Sequence, residues 1–426
     1  MDSIRITAKD RKAAKTLAYL KDLEAGKITL TKAATLCGFS IQWMIKLRRR
    51  YQKEGASCLQ HGNKFRIPHN KTSVALETKI LAIYAMDEYQ DCNFSVFRDC
   101  LEEFHDIKIS YTTLVGIMKR AGIRSPEGHK IKNKKKVHRM RIRREHEGEL
   151  VQIDGTPYEF FKKFGDNHKY TMHGAVDDAT SKITAMYMTE NECLYGIMEL
   201  VKQTNARFGG LPCEMYMDRA AWACVTPRHK QELSLVEQLE GVHQKRTQFQ
   251  RILSELNINQ ILAWSPQAKG RVERMWRTVQ GIYPIWAFKH GIRTIEDANK
   301  HMDQFIDYYN KKFAKTAKDP HALWHTAPDD FDDIMFAQFP RKTNRNGMFK
   351  FHSYDFAVIN CPFVANKDFT LCISINGLYA RMPDGKYYDV ALLDDDLGYV
   401  VSDTLPHQVK TIIYNNLLQF AKEISA

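Results

Sequence analysis

The chain has 426 residues, 44% hydrophobic and 27% charged, so it can build several packed cores and still present a polar surface. Its 63 Lys and Arg against 50 Asp and Glu give a formal net charge of +13, which favours a polyanionic partner, nucleic acid first among them. Nine scattered cysteines with no Cys-x-x-Cys pair speak against a disulfide scaffold, and the absence of a long apolar run speaks against a membrane span, so a soluble intracellular protein with no membrane partner is expected.

The N-terminus lacks the apolar core of a secretion signal. Residues 8–55 read as helices, and the stretch from Leu30 to Arg50 has helix-turn-helix spacing. Ala34 is small where two helices would cross, Gly38 can take a left-handed turn, and Ser40 is a good N-cap for the next helix. In that helix Met44, Leu47 and Tyr51 share an inward face. Gln42, Lys46, Arg49 and Lys53, with Arg50 beside them, face outward, as donors to bases and phosphates must.

Residues 75–122 predict a second small helical unit with Phe94, Phe97, Leu101 and Phe104 as core, ending in a capped helix from Ser110 to Gly122. Cys58, His61, His69, Cys92, Cys100 and His105 cluster loosely in sequence but match no compact zinc spacing. Between Lys130 and Arg144 lie nine cations and no acid. Among them Lys134, Lys135, Lys136, Arg139, Arg141 and Arg143 are candidate phosphate contacts on an extended tether.

From residue 149 strand-like runs alternate with helices. Strands are predicted at Leu150–Asp154, Tyr170–Asp177, Lys182–Met188, the run ending at Asp218, and Asn259–Trp264. Helices are predicted at about 194–208, about 247–256, and from about Lys269 onward. This β-β-β-α-β-α-β-α order is that of a ribonuclease-H-like α/β core. Residues 294–314 predict another amphipathic helix. Six short strands between about 345 and 402 suggest a small antiparallel barrel, followed by a last helix at about Pro406–Ile424 whose apolar stripe suits packing or dimer contact.

Three acids sit at positions with one geometric meaning. Asp154 closes the first strand, Asp218 the fourth, and Glu273 lies in the first turns of the helix after the fifth. Parallel neighbouring strands would bring the two aspartates together, with the helix setting Glu273 beside them. Converging carboxylates are hard oxygen ligands, suited to Mg²⁺ or Mn²⁺ with open positions for water and phosphate. Two such ions about 3.5–4 Å apart catalyse phosphoryl transfer. Asp177 and Asp178 are rival acids, read here as hairpin-turn residues. Near the Glu273 face, Lys269, Arg277 and Gln280 are candidate contacts to a DNA end, while Arg271 and Arg274 point elsewhere, toward DNA backbone or a partner protomer.

The motifs Gln152-Ile-Asp-Gly155, Met217-Asp-Arg219 and Ser265-Pro-Gln-Ala-Lys-Gly-Arg-Val-Glu-Arg274 resemble those of the DDE transposase and retroviral integrase superfamily, and more narrowly of bacterial insertion-sequence transposases. The resemblance implies Asp154, Asp218 and Glu273 as catalytic metal ligands for two Mg²⁺ or Mn²⁺ ions. It also implies cleavage at transposon ends, joining of the 3′-hydroxyl to target DNA, and a homo-oligomer, at least a dimer, on paired ends in the bacterial cytoplasm and nucleoid. Two departures stand out. The gap from Asp218 to Glu273 holds 54 residues, longer than is usual in retroviral integrases, and Asp218 is followed by Arg-Ala-Ala-Trp in place of a glycine-rich turn.

The expected architecture is a multidomain α+β chain. It comprises a helix-turn-helix domain (1–70), a second helical DNA-binding domain (71–124) and a basic linker (125–147). A ribonuclease-H-like catalytic core follows (148–292, with an insertion at about 221–246), then a helical connector (293–338), a small β-barrel (339–404) and a C-terminal helix (405–426). The alternatives are a metal-dependent nuclease without joining activity and a catalytically silent DNA-binding regulator.

Overall fold

The computed structural model describes residues 8–59, 71–90, 92–126, 142–220, 222–224, 246–263, 270–394, 398–400 and 405–418. Lys134, Lys135, Lys136, Arg139, Arg141 and Lys269 lie outside the described residues, as do most of the insertion and the Ser265–Lys269 part of the third motif. The chain forms two compact units, Met1–Lys79 and Ile80–Ala426.

In the first unit, helices α1 (Ala8–Glu24), α2 (Leu30–Cys37) and α3 (Ile41–Glu54) enclose a small core of Leu20, Leu23, Ala33, Ala34, Met44 and Leu47. Gly38 ends α2 at φ 67°, where its N–H reaches back to the carbonyls of Ala34 and Thr35. Ser40 caps α3 by accepting from the amide of Trp43 at 3.2 Å. Helix α4 (Val74–Tyr84) crosses the boundary between the units.

The second unit contains α5 (Phe94–His105) and α6 (Tyr111–Arg120), with Phe97 and Leu101 fully buried. A five-stranded sheet follows, made of β1 (Leu150–Tyr158), β2 (Tyr170–Asp177), β3 (Ile183–Thr189), β4 (Glu214–Met217) and β5 (Asn259–Leu262), in the order β3-β2-β1-β4-β5. β1, β2 and β3 pair antiparallel, whereas β4 and β5 run parallel to β1. Helices α7 (Leu194–Phe208), α8 (Gln248–Glu255), α9 (Gly270–Lys289) and α10 (Ile295–Phe313) belong to the same unit, α7 and α10 packing on β3 and α9 on β1 and β2.

After the short α11 (Phe331–Ile334) comes a second sheet. Its strands are β6 (Ala337–Lys342), β7 (Met348–Phe351), β8 (Tyr354–Val358), β9 (Asp368–Ser374), β10 (Gly377–Arg381), β11 (Tyr387–Asp394) and β12 (Gly398–Val400). The path β6-β9-β10-β11-β8-β7 is nearly closed: its two end strands meet through Phe339 and Phe351, whose ring centroids lie 5.2 Å apart. The sheet shares one continuous hydrophobic core with α7 and α8. Gln248 of α8 exchanges hydrogen bonds with the Gln338 main chain at 2.7 and 3.0 Å.

The structure differs from the sequence expectation in three places. β1 runs on to Tyr158, so Asp154 stands inside the strand and not at its end. Beyond Gln152 the strand has lost β4 as a neighbour, and an unpaired edge tolerates Pro157. β6 starts inside the expected helical connector, because its pattern is hidden by Pro340 and becomes a strand only by pairing with β9. The last helix, α12 (His407–Ile413), turns π-helical at Tyr414–Leu418 where a continuous α-helix is expected, while its apolar stripe of Val409, Ile412, Ile413 and Leu417 packs in the chain's own core, one of the two roles expected of it; residues 419–424 lie outside the described residues. No described helix is long and apolar enough to cross a membrane.

Candidate active site at the edge of the first sheet

Parallel pairing of β1 with β4 ends at Gln152 and Tyr216. Asp154 and Asp218 each lie two residues further along, where the strands separate. Asp154 is half-buried, and Asp218 sits just past the end of β4. One Asp218 oxygen accepts from the amide of Ala220 at 3.2 Å, closing a local turn. Trp222, just beyond, is buried. Its indole N–H donates to Glu192 at 2.8 Å, and its ring meets Phe249 edge-on at 5.4 Å.

Glu273 is exposed in the first turn of α9. That helix forms because Val272, Met275, Trp276, Val279, Ile282, Tyr283 and Trp286 recur at helical spacing and bury one stripe. Two hydrogen bonds lay it along the Asp154 face of β1. The amide of Val272 donates to Gln152 at 3.3 Å, and the Gln280 side chain donates to Thr156 at 2.9 Å. Gln152, Asp154 and Thr156 alternate onto that one face. The close approach also depends on Gly174, the residue paired with Asp154, since a Cβ there would stand 2.6 Å from the Trp276 ring.

On the opposite face, beside Asp154, His173 of β2 is fully buried and pairs with Gly155. Its Nε2 meets the Thr189 hydroxyl at 3.0 Å, and burial pushes its pKa down to about 3, which keeps the ring neutral. A Cβ at Gly196 would stand 2.3 Å from this ring, so only glycine lets α7 pass so close.

The other expected contacts divide into two groups. Gln42, Lys46, Arg49 and Arg50 are exposed on α3, and Arg50 lies 3.4 Å from Glu54. Arg277 is exposed and, with Gln280, Lys162, Lys163, Glu159 and Tyr158, lines a cleft of about 240 Å³. Arg143 and Arg271 turn inward instead. Arg143 donates to the Ala179 carbonyl at 2.5 Å and to Ser181 at 2.9 Å, and burial lowers its pKa. Arg271, 14% exposed, lies 2.6 Å from Asp178. Both cations are occupied by the chain itself because buried acceptors stand within their reach.

Sequence reasoning missed Lys162 and Lys163, which carry no pattern of their own, and it treated Asp177 and Asp178 alike. Only Asp177 serves the turn, accepting from the Thr180 amide and hydroxyl at 2.7 and 2.6 Å. Burial raises its pKa. As placed, no three His, Cys, Asp or Glu side chains among the described residues stand close enough to hold a metal ion. The donor chemistry at the sheet edge is all carboxylate oxygen, the set that hard divalent cations take and softer metals do not.

Comparison with known proteins adds an independent line. A protein of Sinorhizobium fredii named as a transposase, y4bF, is 29% identical over 354 residues, 82% of this chain and 73% of its own length. The transposase for insertion sequence IS1202 of Streptococcus pneumoniae is 27% identical over 333 residues, 71% of this chain and 69% of its own. The chain's similarity is to transposases. That is the bacterial transposase side of the resemblance that the motifs led us to expect. No family model matches. A chain of the simian T-cell lymphotropic virus intasome in complex with the PP2A regulatory subunit B56 gamma aligns over 76% of this chain and 100% of its own, at 12% identity. Its TM-score of 0.31 carries no argument about fold.

Proposed function

We propose that the chain is a DNA transposase that cleaves at the 3′ ends of its transposon and joins the freed hydroxyls to target DNA, with Asp154, Asp218 and Glu273 as its catalytic carboxylates. The observation that carries the reading is similarity to two transposases across 82% and 71% of the chain. The β1–β4 register and the seating of α9 on β1 support this choice of acids. The strand order β3-β2-β1-β4-β5 supports a ribonuclease-H-like core, and α2, Gly38 and α3 support a helix-turn-helix.

Two Mg²⁺ or Mn²⁺ ions bound among these carboxylates would supply the charge that activates an attacking oxygen and steadies the leaving one. The chain's own residues do the rest. Asp154 and Asp218 present oxygen donors from neighbouring strands, and Glu273 presents one from α9. Arg277 and Lys162 offer positive charge to a phosphate backbone in a cleft they share with Glu159 and with Lys163, whose ammonium donates to the Asp87 and Gln90 carbonyls, while Gln42, Lys46, Arg49 and Arg50 offer donors to a groove. Joining two ends calls for two such sites, so the working form is an oligomer on paired ends.

The test is a strand-transfer assay with Mg²⁺ on labelled DNA carrying the flanking ends of the chain's own gene, with Asp154→Asn, Asp218→Asn and Glu273→Gln in parallel. Joined products lost in all three, with DNA binding kept, support the reading. Nicks without joining point to a nuclease, and tight binding without chemistry to a regulator.

A further inference from the structure

Asp178 is 0% exposed, yet it is a carboxylate, and its partners come from three separate stretches of chain. Its Oδ2 accepts at 2.8 Å from the amide of Arg144, the last cation of the basic run. Its Oδ1 accepts from the Gln152 side chain at 2.8 Å and lies 2.6 Å from the Arg271 Nε, an ion pair outside hydrogen-bond geometry. A buried carboxylate is costly unless it is paired and hydrogen-bonded, and here both conditions are met.

What these contacts hold is specific. Gln152 lies two residues before Asp154 on the same face of β1, and Arg271 lies two residues before Glu273 in the first turn of α9. Gln152 also accepts from the amide of Val272, so a second path runs from Asp178 through Gln152 to the same turn. The hairpin turn itself is served by Asp177.

We propose that Asp178 is a positioning residue that holds the stretch of β1 carrying Asp154 against the α9 turn carrying Glu273; the proposal rests on the carboxylate reading above. Asp178 does not touch the metal or DNA. It grips the strand beside one ligand and, through Arg271, the helix turn beside another. Groups hydrogen-bonded directly to metal ligands typically alter metal affinity about 10- to 100-fold when changed, and Asp178 acts one step further out, through Gln152 and Arg271.

The experiment is a Mn²⁺ titration of the full chain, read by the paramagnetic resonance of free Mn²⁺, with circular dichroism to confirm folding. Wild type is compared with Asp178→Asn and Asp154→Asn. The expected result is a folded Asp178→Asn whose Mn²⁺ affinity falls about 10- to 100-fold, with the Mn²⁺ needed for half-maximal strand transfer rising in step. If that variant does not fold, the double variant Asp178→Asn with Arg271→Gln, which buries no unpaired charge, carries the same expectation. Wild-type affinity in a folded Asp178 variant, with affinity lost in Asp154→Asn, overturns this inference alone. Equal affinity in wild type and Asp154→Asn overturns the carboxylate reading and this inference with it.

Discussion

The main-chain amide of Val272 donates to the side chain of Gln152 across 3.3 Å, so the first turn of α9 hangs from the strand that carries Asp154. The two residues are 120 apart in sequence. A helix N-terminus has amides with no partner inside the helix, and here a strand side chain takes one of them. With the Gln280–Thr156 bond, it seats on β1 the helix whose first turn carries Glu273.

Replacing Gln152 by Ala removes the acceptor for Val272 and a donor to Asp178 together. Stability should fall by about 1–3 kcal/mol, the usual consequence of leaving buried polar groups unpaired. Strand transfer should fall by more than that loss of folded protein explains. Urea unfolding beside the strand-transfer assay checks this, and full activity in a folded Gln152→Ala would contradict it.

Acid should weaken the fold through His173. Its folded pKa, about 3, lies below the unfolded value near 6.5, so the unfolded chain takes up a proton that the folded chain refuses. The stability this group contributes is complete above about pH 6.5 and is lost as pH falls toward 3, by about 2 kcal/mol at pH 5. Unfolding midpoints at pH 7.5 and pH 5 should differ accordingly. His173→Gln, which cannot titrate, should show a flatter profile.

Trp222→Phe keeps a ring against Phe249 but deletes the donation to Glu192. A loss of about 1–2 kcal/mol in stability is expected. The turn after Asp218 should loosen, lowering strand transfer while binding to end DNA stays near wild type. An unchanged strand-transfer rate would show that the turn holds without its indole.

Lys46→Ala and Arg49→Ala should each weaken DNA binding with little effect on folding, because both side chains are exposed on α3. Each phosphate contact removed should reduce the slope of log affinity against log salt by about 1. Fluorescence anisotropy across a salt series measures this, and an unaltered slope in both variants would take α3 out of the DNA interface.

Local sequence determined a good deal of this protein. Helical spacing placed α7, α8 and α10 within a residue of their observed ends, since burying one stripe is decided by near neighbours. Gly38 and Ser40 act through their own backbone and side chain, so the α2–α3 turn was legible as well. The positions of Asp218 just past the end of β4 and Glu273 in the first turn of α9 followed from the element order, whereas Asp154 stands inside β1 and not at its end.

What only the tertiary structure decided depends on partners far apart in the chain. Pairing with β2 carries β1 through Pro157 to Tyr158, and pairing with β9 makes β6 a strand despite Pro340. Arg143 and Arg271 look like free cations in sequence. Each turns inward because an acceptor from the β2–β3 hairpin lies within reach. Asp177 and Asp178 are adjacent and chemically identical, yet one closes a turn and the other joins Arg144, Gln152 and Arg271. Successive side chains near a strand end leave in different directions, and only the packed neighbours determine what each one meets.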